Sequence, residues 1–137
     1  MLTRSRSEQL AVHPLLVTFP LGMLGASVLF DLAALAFGEP IFADVARWDA
    51  GIGVIAATIT GACALVDAAA TPRRAREARL ARVRVLVHGG SLLLFGAALL
   101  LHARASMPSA PSVLLAAIGL ALAALSASLG GRLAAPA

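Results

Sequence analysis

Over residues 12–37 the chain stays apolar for longer than a bilayer's hydrocarbon core is thick, and it does so again over residues 48–70, 83–103 and 112–129. About 20 predominantly apolar residues cross that core as an α-helix, and a lipid-exposed span must satisfy every backbone N–H and C=O within itself. Four such runs restrict the chain to an all-α architecture: a four-helix transmembrane bundle. Composition agrees. Of 137 residues, 60% are hydrophobic and 13% charged, with mean hydropathy +0.91. A soluble domain carries about a quarter charged residues. Lipid must therefore cover the excess apolar area, and the length suits a single integral membrane domain over residues 1–137.

The breaks between runs orient the bundle. Residues 73–84 hold Arg73, Arg74, Arg76, Arg79, Arg82 and Arg84 against one acid, Glu77. By the positive-inside rule this connection is cytoplasmic. Two spans separate it from Arg4 and Arg6, so the chain start is expected inside as well, and Arg132 after the fourth span puts both termini in the cytoplasm. The connection after Gly38-Glu39-Pro40 carries Glu39, Asp44 and Asp49 against Arg47, which suits the outside. Trp48 falls where an interfacial anchor belongs. The expected location is the inner (plasma) membrane, with multiple passes. All 11 basic residues are arginine and the pI is near 11.3. Orientation explains this charge better than nucleic acid does. The lone Cys63 excludes an intrachain disulfide or a cysteine metal cluster. The basic start resembles a signal peptide, but the run after it is too long and Asp31 interrupts it.

Within the spans, Pro14 suits a first helical turn, and Pro20 should kink the first helix or end a short segment. Gly22, Gly25 and Ala26 offer that helix a small face. Gly53, Ala57 and Gly61 recur every fourth residue, a ridge for close helix approach. Gly130-Gly131 reads as the cap of the fourth helix. The ionisable residues are few. Topology places His13, Asp67 and His88 about one turn or less from the inner helix ends, and Asp31 and His102 in the outer half. One reading is bis-histidine haem b, with His13 and His88 on the iron, Asp67 orienting an imidazole, and Gly22, Gly89 and Gly90 admitting the macrocycle. A blander reading makes these residues structural, with Asp67 pairing to His88 or an arginine and Asp31 to His102. A sparse polar trail for protons or ions is a third. Ser91 and Thr18 near the histidines make a poor case for catalysis, because such hydroxyls in membrane helices bond their own backbone. No phosphate loop or metalloprotease motif is present, so the chain is expected not to be an enzyme.

His13-Pro14, Phe19-Pro20-Leu21-Gly22, Asp31-Leu32, Trp48, Gly53, Gly61, Asp67, His88 and Leu129-Gly130-Gly131, in this order and spacing, resemble the bacterial and archaeal membrane family known as domain of unknown function 2231. The resemblance covers almost the whole chain and implies four transmembrane helices without an established activity. Some members look like fusions to Rieske iron–sulfur or cytochrome c modules, which implies a place near electron transfer. The chain departs from the family pattern at Leu16, Ala68 and Leu92, where many members carry histidine, tryptophan and asparagine, so its inner polar cluster is thinner. The expectation is a non-catalytic membrane module, an accessory subunit of a larger redox complex with haem b as the candidate cofactor. The alternative is a purely structural bundle, packed against partner helices or other copies of itself.

Overall fold

The computed structural model describes the backbone of residues 4–70 and 74–134, and side-chain surroundings for residues 17–70 and 74–131. It contains four helices: α1 (Arg4–Phe37), α2 (Pro40–Ala70), α3 (Ala75–Ala103) and α4 (Ala110–Ala134). Each holds a stretch long and apolar enough to cross a membrane: Val17–Phe37, Pro40–Ala70, Ala75–Ala103 and Ala110–Gly131. No strand occurs among the described residues.

The helices overrun the apolar runs. α2 starts at Pro40, so the acidic segment is its first turns rather than a loop. α3 starts at Ala75, so Arg76, Arg79, Arg82 and Arg84 are helical as well. α4 runs through Gly130-Gly131 instead of being capped there. α1 continues unbroken through Pro20. Hydropathy marks where lipid is, whereas a helix propagates wherever its backbone hydrogen bonds are already nucleated.

The turns are short for identifiable reasons. Gly38 takes φ +70 after α1 and donates its N–H to the Ala34 carbonyl. This left-handed cap suits a residue without Cβ, and Pro40 can then open α2 because the first helical N–H needs no partner. On the same side of the bundle, Ser109 and Ser112 cap α4 reciprocally: the Ser112 N–H donates to Ser109 Oγ at 3.3 Å and the Ser109 N–H to Ser112 Oγ at 3.0 Å.

α1 packs chiefly on α2 and α3 chiefly on α4, while α2–α3 and α1–α4 close the ring more loosely. Two hairpins thus face each other across a narrow core of Leu24, Val28, Ala57, Phe95, Ala98 and Ala116. The small ridge of α2 works as its spacing suggests. A Cβ on Gly53 would lie 2.8 Å from Leu24 Cδ2 of α1, and one on Gly61 would lie 2.7 Å from His88 Nε2 of α3. On α1, Gly25 faces Leu120 of α4, but Gly22 meets nothing within 4 Å. Much of the outside is apolar: Leu29, Ile55, Leu86, Leu93 and Leu114 are exposed. That is the surface a bilayer covers.

Candidate functional site

Two polar places lie inside this frame, one toward each end. Toward the end that carries Gly38 and the Ser109 turn, Asp31 of α1 and His102 of α3 meet across the diagonal of the bundle. They are 6% and 3% exposed, and His102 Nδ1 stands 3.2 Å from Asp31 Oδ1. The contact is close enough for an ion pair. Yet Asp31 Oδ1 and His102 Nε2 make no aligned hydrogen bond among the described residues. A void of about 10 Å³ adjoins them, walled by Ser27, Phe95 and Ala98. That volume is on the order of one water. The pair can share one proton while bracing two helices whose backbones stay apart.

Toward the other end, His88 of α3 is half-buried against α2, its Nε2 2.9 Å from the Ala57 carbonyl oxygen. Gly61 makes room for the ring, since any Cβ there would collide with it. One turn away, the Arg84 guanidinium lies across Gly130 of α4, where a Cβ would come within 2.9 Å of its Cζ. Gly130 is therefore a seat for an arginine, not a helix stop. Ser126 Oγ donates to the Arg84 carbonyl at 3.4 Å, and Ser91 Oγ donates to the Gly119 carbonyl at 2.7 Å. Sequence reasoning misses these α3–α4 ties. Their signal is weak: Gly119 and Ser126 in an otherwise largely apolar α4, and Ser91 on α3.

Of the expected inner layer of His13, Asp67 and His88, the two members whose side chains are described, Asp67 and His88, do not meet. The His13 side chain lies outside the described residues. Asp67 is exposed and has neither a hydrogen-bond nor an ion-pair partner among the described residues. Helical register is the reason: Asp67 sits about 120° around α2 from Gly61, which faces α3. Gly89 and Gly90 do not frame a slot for a flat ring, because Gly90 faces Leu122 Cδ1 at 3.6 Å while Gly89 opens on the α2–α3 groove. No group of three or more metal-ligating side chains occurs among the described residues. Thr58 and Thr60 bond their own helix, donating to the carbonyls of Val54 and Ala56.

A family model described as predicted membrane protein (DUF2231) matches residues 9–136. The chain belongs to this family. Neither the curated proteins nor the solved structures contain a match to it. For this DUF2231 chain, membership agrees with the four candidate spans.

Proposed function

We propose that this chain is a non-catalytic membrane module serving as an accessory subunit of a larger membrane assembly, with both termini and the arginine-rich end of the bundle in the cytoplasm. The observation that carries the reading is how the interior polar groups are spent. Asp31 meets His102, His88 meets the Ala57 carbonyl, Ser91 meets the Gly119 carbonyl, and Ser126 meets the Arg84 carbonyl. Each links one helix to another. A redox setting follows from the family resemblance alone. Haem b between His13 and His88 is the specific form of that setting, and it needs an imidazole nitrogen turned into an open slot. His88 Nε2 instead faces Ala57, with Gly61 against the ring. His88, as it is placed, does not fit the group.

The surface offered to a partner is the outer stripe of α2. Trp48, Ile52, Ile55, Ile59, Ala62 and Val66 are exposed and alternate at spacings of four and three. That is the seam on which two helices interdigitate, and its β-branched side chains lose little freedom on packing.

Two measurements test this. An absorption spectrum of the purified protein, expressed with ample haem and then reduced with dithionite, should show no Soret band; a Soret band lost in His88→Ala would overturn the reading. In mild detergent the chain should migrate in a larger assembly. Ile55→Ala with Ile59→Ala should release it, while Leu100→Ala, equally outward on α3, should not. A lone chain under all conditions would defeat the proposal. Cys63 lies beside the seam, so an oxidant-induced disulfide dimer would identify the partner as a second copy.

A further inference from the structure

The seam between α2 and α3 is packed far less closely than the α1–α2 and α3–α4 seams. A cleft of about 280 Å³ runs along it beside Gly61, Leu65, Ala81, Val85 and Gly89. It shares Leu65, Ala68, Ala81 and Val85 with a wider one of about 510 Å³ that continues past Ala78 to Arg82. Small residues on both walls leave a trough, and its sides are apolar. Arg82 lines the wider part, and Arg74, Arg76 and Arg79, all exposed, precede it in sequence, with Glu77 as the nearest acid along the chain.

This basic stretch is electrostatically uncomfortable on its own. Arg76, Arg79 and Arg82 follow one another at three-residue spacing, where like charges on a helix repel. Arg76 also lies in the first turn of α3, where the helix dipole favours anions over cations. Arg74 precedes the helix as its N-cap residue and makes no side-chain cap hydrogen bond. A phosphate lying there relieves both conflicts, and the trough beneath it accepts hydrocarbon. Arg84 also lines the narrower cleft, but its guanidinium lies across Gly130 of α4.

We propose that the α2–α3 cleft seats an anionic phospholipid, with its phosphate on Arg82 and Arg79 and one acyl chain along Leu65, Ala68, Ala81 and Val85. The bilayer supplies this ligand directly, and basic pockets between spans are a known way to hold such headgroups. The acyl chain also fills space that the two hairpins leave between them.

The test is lipid retention. The full chain is reconstituted in vesicles of equal phosphatidylglycerol and phosphatidylcholine, extracted in mild detergent, and the retained lipid is counted by native mass spectrometry. The expected result is selective retention of phosphatidylglycerol that a large excess of inorganic phosphate does not displace. Arg79→Gln and Arg82→Gln should each lower that preference about fivefold. Ala81→Leu should lower retention with the arginines intact. Ala78→Leu, in the wider part, does the same job if Ala81→Leu fails to fold. Equal retention of both lipids would overturn the proposal, as would a preference unchanged in the double glutamine variant. Displacement by inorganic phosphate would reduce the site to a free-anion site. Leucine variants that keep their lipid would show a general attraction to the basic surface, without a seat in the cleft.

Discussion

At the scale of single residues, Asp31 and His102 set the largest local cost in the bundle. Each is buried, and each alone would leave a polar group without a partner in a dry interior. Their energy is therefore mutual. Asp31→Ala strands the imidazole, and His102→Ala strands the carboxyl. The double variant removes both at once. Unfolding in detergent should show the double variant losing less than the sum of the singles, with a coupling of about 0.5–2 kcal/mol. Strict additivity would mean that the 3.2 Å contact holds nothing. The pairing is legible in the sequence, because both residues fall in the outer half and neither can face lipid cheaply. The fate of Asp67 is not. Its depth follows from the topology, but its direction depends on a register that a uniformly apolar α2 does not reveal.

At the scale of elements, glycines decide which helices can approach. Gly61 is the test, since it alone lets the His88 ring reach the Ala57 carbonyl. Gly61→Ala should force the ring away and cost about 1–3 kcal/mol in detergent unfolding. Gly51→Ala, on the same helix with nothing within 4 Å of its Cβ, should be neutral or stabilising by about 0.5–1 kcal/mol, because alanine is the better helix former. Equal effects at the two positions would refute the packing role. The Gly53, Ala57 and Gly61 ridge is readable from its four-residue period. Its two guests, Leu24 and His88, are not, because a period names a face without naming what fills it. Helix extents are hidden for a related reason. Apolar runs end at the headgroups, but α2 and α3 continue through acidic and arginine-rich turns whose side chains reach water while the backbone ladder is unchanged.

For the whole molecule, the charges at the bundle's two ends argue for one orientation. The end with Arg74, Arg76, Arg79 and Arg82 is strongly basic. The opposite end carries Glu39, Asp44 and Asp49, with Arg47 already paired to Asp44 and Arg104 closing α3. Short connections with excess arginine stay in the cytoplasm. The retained charge should then be visible as one-sided chemistry. In a Cys63→Ala background, Ser106→Cys in the α3–α4 turn should react with a membrane-impermeant maleimide in right-side-out vesicles. Ala75→Cys, at the start of α3, should react only in inverted ones. The opposite pattern would reverse the orientation, and reaction of both in the same vesicles would break the four-span reading itself. The same experiment bears on cause. Replacing Arg76, Arg79 and Arg82 by glutamine leaves the apolar core untouched, since none of the three is buried. If arginines set the orientation, the triple variant should label at Ala75→Cys from both sides, as a mixed population, while each molecule keeps the fold that its glycines and its diagonal Asp31–His102 contact impose.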